Sequence, residues 1–444
     1  MMLLESGETL PPTLQLGRRG ASCDIERSGS DVGGRTSAFS VDPKNLRVLE
    51  DVGEGGFATV KRCELTVPGM GKEIVAAKQL KADCFERDRE FIDFIAETLL
   101  MSRLNHPNIV RFKGLCEGKL GGDEGVEGSP ISVVGEYMNM GTLTDQLDAQ
   151  MRGSSLAYTK ASGMRWMLQV ARALEYLHGL NATVIHRDLK PENILFTRDE
   201  LTQEVVVKVA DFGLSAVVRR QKKARSVDIR REGLIPAEGG NSFTSRGSGE
   251  LWGMQHKHAV RLLSPDVRSR VVGSNLMRSV TMISNVFEPC DGTPKSSRRT
   301  PIDVYHDLSG RTGSLMYMAP EVLSYKKYNE KVDVYSFGII LYEVMARSKL
   351  IYMLMTNAKP GQEVASQVRR YSESVQNGYR PPIPLQWPLG IRLLIGDCWQ
   401  HCPADRPSMK EVVGRLEAAL KTEVQKEQRE EEAREGACVC CSIM

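Results

Sequence analysis

The stretch IHRDLKPENILF, residues 185–196, gathers His, Arg, Asp, Lys and Asn side chains within a few positions. A second stretch, VKVADFGLS, begins at Val207 and carries an Asp-Phe-Gly triplet after an apolar run. Apolar segments typical of β-strands flank the polar residues in both stretches, which favours a built site over solvated surface side chains. We therefore interpret the rest of the chain outward from these two stretches.

Both stretches resemble motifs of the eukaryotic protein kinases, and the wording HRDLKPEN resembles their serine/threonine branch. In the C-terminal half, YSFGIILYEV, GYRPPIP and CWQHCPADRP look most like the tyrosine-kinase-like group. The resemblance covers about residues 46–220 and 303–420. It implies an α+β fold with a small β-rich N-lobe and a larger, mainly helical C-lobe, and it implies ATP and Mg2+ as cofactors.

The resemblance also assigns roles in phosphoryl transfer, a reaction that requires an aligned hydroxyl and neutralised phosphate oxygens. Asp188 would orient the hydroxyl and accept its proton, and Lys190 would lie near the transferred phosphate. Mg2+ prefers hard oxygen ligands, which Asn193 and Asp211 would supply. We expect an enzyme that transfers the γ-phosphate of ATP to protein substrates, and Lys190 favours Ser/Thr hydroxyls as acceptors.

The run LRVLEDVGEGGFATVKRCEL, from Leu46, contains two strand-like segments around a glycine-rich bend. Such a bend lets backbone amides approach phosphates, although Ala58 replaces the third glycine of the kinase pattern. The strand IVAAKQL follows instead of a helix, which argues against a dinucleotide-binding fold. The ATP-binding residues that the resemblance implies are Gly53, Glu54, Gly55, Val60, Ala76, Lys78, Gly135, Glu136 and Met138.

Lys78 lies in an apolar strand, where a buried ammonium group needs a partner. The segment EFIDFIAETLLMSRLNHPNIV has the apolar spacing of an amphipathic helix. Matching HPNIV to the kinase pattern makes Glu97 the partner of Lys78 in the catalytic set. Glu90 is the alternative if the register is shifted, and a surface ion pair of little energetic value is the simplest alternative.

Gly135 occupies the position that resembles the kinase gatekeeper, just before the hinge backbone of Glu136 to Met138, where adenine would bind. Glycine inside a strand is destabilising by roughly 0.5–1 kcal/mol relative to alanine and often marks open space. We hypothesise an unusually open pocket behind the adenine, and therefore strong binding of inhibitors with a bulky aromatic extension. The alternative is a merely weak strand position.

Two segments of the C-terminal half predict buried helices. ASGMRWMLQVARALEYLHGL has apolar residues at one-face helical spacing and leads into the catalytic loop, and KVDVYSFGIILYEVMA is apolar on nearly every face. The resemblance implies that Asp333 binds the catalytic-loop backbone and that Arg406 forms an ion pair with Glu321. His178 is interpreted as structural.

The segment after Asp211 is exceptionally long, because the APE triplet that ends at Glu321 lies 110 residues further on. Residues 219–300 carry 16 Lys and Arg against 7 Asp and Glu, whereas the whole chain has a net charge of +3. We predict a basic, largely disordered insert at 220–302 within the activation segment. It could engage acidic lipid or another acidic partner, be a phosphorylation target, or be an unselected solvated loop; nucleic acid is not the expected partner.

Three hydroxyl residues precede the sequence YMAPE. In the kinases that the chain resembles, a phosphorylated hydroxyl in this zone pairs with the arginine beside the catalytic aspartate, here Arg187. Thr312 is the first candidate for regulatory phosphorylation and Ser309 the second. Ser314 is instead expected to contact the catalytic loop directly.

The last seven residues, CVCCSIM, form an independent signal. Cys441 and the three residues after it fit a prenylation box, and a terminal Met points to a farnesyl group. One lipid gives only reversible attachment and the preceding residues are acidic, so Cys438 and Cys440 are candidates for palmitoylation. The alternative is an accidental cysteine-rich tail.

These patterns divide the chain into a flexible arm (1–44), an N-lobe (45–139), a C-lobe (140–420) and an acidic tail with the lipidation motif (421–444). No secretion signal or bilayer-spanning apolar run is evident, so we expect an intracellular protein on the cytoplasmic face of a membrane. The rival interpretation is a membrane-anchored pseudokinase or signalling scaffold. A complete set of magnesium-binding and proton-handling residues argues against the rival.

Overall fold

The computed structural model describes residues 40–85, 88–118, 120, 130–153, 157–219, 308, 313–356 and 363–441. Its N-terminal part is a five-stranded antiparallel sheet. The strands are β1 (Leu46–Glu54), β2 (Ala58–Val67), β3 (Gly71–Leu80), β4 (Phe112–Glu117) and β5 (Ile131–Glu136). Their spatial order is β1-β2-β3-β5-β4, so β4 is an edge strand. Two helices connect β3 to β4, namely α1 (Ala82–Phe85) and α2 (Asp88–Met101).

The C-terminal part is mainly helical and carries two small antiparallel sheets. Its first helices and strands are α3 (Leu143–Arg152), α4 (Lys160–Gly179), β6 (Ala182–Ile185), β7 (Ile194–Arg198), β8 (Val205–Val209) and β9 (Ala216–Arg219). Strand β6 pairs with β9, and β7 pairs with β8. The later helices are α5 (Pro320–Leu323), α6 (Lys331–Ala346), α7 (Leu350–Thr356), α8 (Val364–Gln376), α9 (Leu389–Cys398) and α10 (Met409–Cys441).

The main hydrophobic core is built on α4 and α6 and continues into the N-lobe beneath α2. A Thr159 hydroxyl accepts from Ser162 N and caps α4, which is how the predicted helix begins. Helix α6 is buried over nearly its whole length, as its apolar sequence predicts. The two helices approach closely at Gly163, where an added Cβ would lie 2.7 Å from Val344 Cγ1.

The N-lobe sheet has a second, smaller core on its other face. It consists of Leu46, Cys63, Leu65, Val75, Ala77, Cys116 and Val134. Residues that precede β1 cover this core: Val41 N donates to Leu115 O at 2.9 Å, and Val41 packs against the cluster. Residues 40–44, which the sequence analysis placed in the N-terminal arm, are thus in contact with the edge strand β4.

Helix α10 continues the C-lobe along α4. Arg172 and Glu417 form an ion pair at 2.9 Å, and Glu427 Oε1 accepts from Ala161 N in the first turn of α4 at 3.1 Å. No helix in the described part of the chain combines the length and apolarity needed to cross a membrane. The predicted insert at 220–302, Ser309, Thr312 and the side chains of Cys438, Cys440 and Cys441 lie outside the described residues.

A β-rich N-lobe followed by a mainly helical C-lobe confirms the predicted fold class, a two-lobed α+β kinase fold.

Candidate active site

The register of β2, β3 and β5 defines which side chains face the cleft between the lobes. Directly paired residues of antiparallel strands carry their side chains on the same face. One row across the sheet consists of Val60, Lys78 and Val133, and the next consists of Arg62, Ala76 and Gly135. Because Lys78 reaches Glu97 and Asp211 on this side, both rows face the cleft.

Lys78 holds two carboxylates together at the back of the cleft. Its Nζ lies 2.9 Å from Glu97 Oε1 on α2 and 2.9 Å from Asp211 Oδ1 in the Asp-Phe-Gly triplet. Burial disfavours the ammonium ion, but the two carboxylates prevail and raise the pKa of Lys78 above its usual value. The pair forms with Glu97 and not with the alternative Glu90, so one ammonium group connects β3, α2 and the segment after β8.

Asp188 lies at the centre of the catalytic loop and is buried. Its Oδ2 accepts from Lys190 Nζ at 2.7 Å. Its Oδ1 accepts from the backbone N of Ser314 at 2.9 Å and from the Ser314 hydroxyl at 3.1 Å. Asn193 Nδ2 also donates to Oδ2, at 3.4 Å, and together these donors fix the orientation of the carboxylate, which suits a group that must align a hydroxyl.

The loop around Asp188 is held from below by α6. The carboxylate of Asp333 accepts from the backbone N of His186 and of Arg187, each at 2.9 Å, and Nε2 of His178 lies 2.8 Å from Oδ2. Burial opposes the charge on Asp333, but the hydrogen bonds and neighbouring histidines lower its pKa. Arg187 has a φ of +67°, a strained value that these bonds stabilise.

Asn193 and Asp211 come together because β7 and β8 form a hairpin. Ile194 pairs with Val209, and Ala210 N donates to Asn193 O at 2.9 Å. The Asn193 Nδ2 donates to Asp188 O at 2.9 Å, which leaves Oδ1 as the acceptor of this amide. One amide oxygen and one carboxylate that is 46% exposed fit a hard cation such as Mg2+, so these two residues would hold it beside the nucleotide phosphates.

The glycine-rich bend lies at the end of β1 over the same cleft. Gly53 pairs with Val60, and Gly55 N donates to Ala58 O at 2.8 Å, so the bend closes with alanine in place of the third glycine. Glu54 lies in the bend, and its carboxylate is 2.6 Å from Lys81 Nζ. The predicted phosphate-binding residues therefore lie at one end of the row that contains Lys78.

The side chain of Glu136 holds the hinge after β5, whereas the sequence predicted a role only for the backbone of this residue. Glu136 Oε1 accepts from Arg111 N at 2.6 Å and from Lys208 Nζ of β8 at 2.6 Å. An added Cβ at Gly135 would make ordinary contacts with Arg111 O at 3.4 Å and with Val110 Cγ1 at 3.6 Å. Met138, whose backbone was predicted to bind adenine, is buried at the end of the hinge.

Two arginines anchor the two ends of the activation segment, the residues after Asp211 and the region of α5. The Arg187 guanidinium donates to Leu214 O, to Ser215 O at 3.3 Å and to the Tyr328 hydroxyl at 3.2 Å. Arg406 forms two hydrogen bonds with the Glu321 carboxylate, at 2.7 and 2.8 Å, within the buried core. This bidentate pair is the one that the resemblance implied.

Glu343 is a buried carboxylate that was not among the residues predicted from the sequence. Glu343 on α6 accepts from the Tyr317 hydroxyl at 3.1 Å and from Leu350 N at 2.7 Å. Burial raises the pKa of Glu343 to about 8. Its only sequence signal is a glutamate inside an otherwise apolar helix, which marks a paired polar group without naming the partner.

The cleft combines a lysine–glutamate–aspartate set, an aspartate fixed by hydrogen bonds and an Asn–Asp pair, which is the set of side chains that the protein kinase class uses. The comparisons agree. The protein kinase domain family matches residues 46–232, and the protein tyrosine and serine/threonine kinase family matches residues 296–416. The chain thus carries the parts of a protein kinase domain in these two matched segments. Residues 233–295 lie outside both matches.

Among the relatives, mitogen-activated protein kinase kinase kinase 7 of Homo sapiens is 28% identical over 375 residues, which are 84% of this chain and 41% of that protein. The same kinase of Bos taurus is also 28% identical, over 84% of this chain and 43% of that protein. Ephrin type-A receptor 3 of Danio rerio is 25% identical over 387 residues, 87% of this chain and 28% of that protein. The chain thus spans less than half the length of these relatives.

Proposed function

We propose that the protein transfers the γ-phosphate of ATP to serine and threonine hydroxyls of protein substrates. The observation that carries this proposal is the Asp188 carboxylate, held by Lys190 on one oxygen and by Ser314 on the other. A scaffold would not require a buried carboxylate fixed in this way beside a lysine and a magnesium-ligand pair. The likeness to a protein named mitogen-activated protein kinase kinase kinase supports the same proposal.

The side chains divide the work of the reaction. Asp188 receives the proton of the substrate hydroxyl and orients the oxygen for in-line attack, and Lys190 neutralises charge on the transferred phosphoryl group. Lys78, fixed by Glu97, contacts the other phosphates of the nucleotide. Bound Mg2+ would neutralise phosphate charge, with Asp211 and Asn193 as its protein ligands.

Transfer of labelled phosphate to a mixed protein substrate tests the proposal. Asp188→Asn should reduce the transfer by at least about a hundredfold, because general-base catalysis contributes at least about that factor. Asp199→Asn is the matched control, since Asp199 lies in the exposed β7–β8 turn and should leave the rate unchanged. Phosphoamino-acid analysis should give phosphoserine and phosphothreonine; phosphotyrosine alone, or equal transfer by Asp188→Asn, would overturn the proposal.

Phosphorylation of the activation segment is proposed as the regulator, with Thr312 as the main site and Ser309 as the second. The support is the position of Arg187, whose guanidinium already binds carbonyls of the segment after Asp211 and could pair with a phosphate. Thr312→Ala should lose activation on incubation with ATP, whereas Thr312→Asp should retain part of it. Unchanged activation of Thr312→Ala and of the double variant with Ser309→Ala would reject this proposal.

Attachment to the cytoplasmic face of a membrane is proposed through lipids on Cys441, Cys440 and Cys438. Its support is the prenylation box at the end of the chain. A second lipid is required for stable binding, since a single chain gives only reversible attachment. The basic insert at 220–302 would add contact with acidic lipid or another acidic partner.

A further inference from the structure

The row of cleft-facing residues that contains Gly135 also contains an arginine, Arg62, to which kinase chemistry assigns no role. Glu50 on β1, Arg62 on β2 and Ala76 on β3 follow one another across the sheet. The residues that alternate with them along the strands, such as Cys63 and Val75, face the second core on the other side of the sheet. The Arg62 side chain therefore extends from the cleft-facing side of the sheet and not from its outer face.

The Arg62 guanidinium connects two parts of the cleft wall. Its Nη1 lies 2.9 Å from Glu50 Oε1, and its Cζ lies 5.4 Å from the centroid of the Tyr137 ring. Tyr137 is the middle residue of the hinge between Glu136 and Met138. A guanidinium at this distance from an aromatic ring is attracted to it.

The two residues that Arg62 contacts belong to parts of the chain that surround the nucleotide. Glu50 precedes the glycine-rich bend by three positions on β1, so fixing Glu50 and Arg62 fixes the strands that hold the bend. Tyr137 belongs to the hinge that would bind adenine. We infer that Arg62 is a positioning residue that links strands β1 and β2 to the hinge and so sets the width of the nucleotide cleft. This inference rests on the proposed use of ATP.

The contribution is expected to appear in nucleotide binding and not in the chemical step, because Arg62 touches none of the groups around Asp188. A cation–π contact at a partly exposed site is worth about a two- to five-fold change in affinity. Arg62→Met and Tyr137→Leu should each raise the Kd of a non-hydrolysable ATP analogue, measured by titration calorimetry, by about that factor. The KM for ATP should rise in parallel, with kcat unchanged.

The double variant and two controls make the test specific. Arg62→Met combined with Tyr137→Leu should bind no more weakly than either single variant, because both remove the same contact. Tyr137→Phe keeps the ring and should bind like the wild type. Lys72→Met breaks an ion pair between β3 and Glu64 of β2, at 2.9 Å, and should also leave the Kd unchanged.

Additive effects in the double variant, an unchanged Kd in Arg62→Met, or equal weakening by Tyr137→Phe and Tyr137→Leu would overturn the inference. The binding measurement separates this failure from failure of the proposed function. If wild-type protein binds the analogue with the expected pattern but transfers no phosphate, the inference stands and the proposed activity falls. If the wild-type protein transfers phosphate but the variants do not show the expected pattern of Kd values, the proposed function stands and the inference falls.

Discussion

Ser314 gives both of its donors to one oxygen of Asp188, with its backbone N at 2.9 Å and its hydroxyl at 3.1 Å from Oδ1. The chain turns into this position at Gly313, whose φ of +101° and close approach to Arg187 O exclude a side chain. The end of the activation segment therefore fixes the orientation of the Asp188 carboxylate. A hydrogen bond to a charged group is worth about 1.5–3 kcal/mol.

Ser314→Ala should therefore lower kcat by about tenfold, while the KM for ATP stays unchanged. Ser314→Thr keeps the hydroxyl and should retain most of the activity. Steady-state kinetics at varied ATP and a saturating concentration of one peptide substrate measures kcat and the KM for ATP of both variants. A Ser314→Ala enzyme with wild-type kcat would show that the Ser314 hydroxyl is not needed to orient Asp188.

Gly135→Met should abolish sensitivity to ATP-site inhibitors that carry a bulky aromatic extension. A side chain can begin at this position, because an added Cβ makes only ordinary contacts. Under the open-pocket hypothesis, the remaining atoms of methionine would fill the space that the extension uses. Loss of a buried aromatic group corresponds to roughly a ten- to hundredfold weaker inhibition. Inhibition curves at a fixed ratio of ATP to KM provide the measurement, and equal inhibition of both enzymes would contradict the open-pocket hypothesis.

Glu343→Gln should change how the free energy of unfolding depends on pH. The folded pKa, about 8, lies above the ordinary value of 4.5, so the stabilisation from the protonated carboxyl is complete below about pH 4.5 and is lost as the pH rises through 8. Glutamine keeps an acceptor for Tyr317 and Leu350 but does not ionise. Denaturant unfolding at pH 5.5 and pH 8 should show the variant gaining stability relative to wild type, by at most about 1.4 kcal/mol per pH unit.

The matched control for Glu343→Gln is the same substitution at an exposed glutamate. Glu432→Gln lies on a solvent-facing part of α10 and should leave the pH profile of the wild type unchanged. A constant difference between Glu343→Gln and wild type at the two pH values would mean that the carboxyl is already ionised at pH 5.5.

Cys441→Ser should move the protein from the membrane to the soluble fraction of cells, because it removes the thiol that would carry the prenyl group. Changing Cys438 and Cys440 to serine should weaken the attachment without abolishing prenylation, since one lipid gives reversible binding. Mass spectrometry of the C-terminal peptide measures the lipid directly. An unmodified Cys441 in membrane-bound protein would refute the prenylation proposal.

Local spacing in the sequence was enough to predict which polar groups of the candidate site lie close together. Asp188, Lys190 and Asn193 fall within one loop, and Asp211 follows a strand that pairs with the end of that loop. The link from Lys78 to Glu97 required a register across 19 positions, which the pattern HPNIV supplied.

Contacts that depend on tertiary approach could not be predicted in the same way. Glu136 and Lys208 are 72 positions apart and meet only because β8 lies beneath the hinge. The stacking of Arg62 on Tyr137 depends on the register of three strands, and neither residue belongs to a motif. Periodicity shows which face of a strand is buried, but the partner across a lobe boundary is set by the packing of the whole fold.

The cover that Val41 provides over the second N-lobe core has a practical consequence for making the catalytic fragment. The protein kinase domain match begins at residue 46, after this segment. A fragment cut there would lose the bond from Val41 N to Leu115 O and would leave β4 as an unprotected edge above exposed apolar side chains. Exposed edges recruit other chains, so expression should start upstream of Ser40 to obtain a soluble, monomeric fragment.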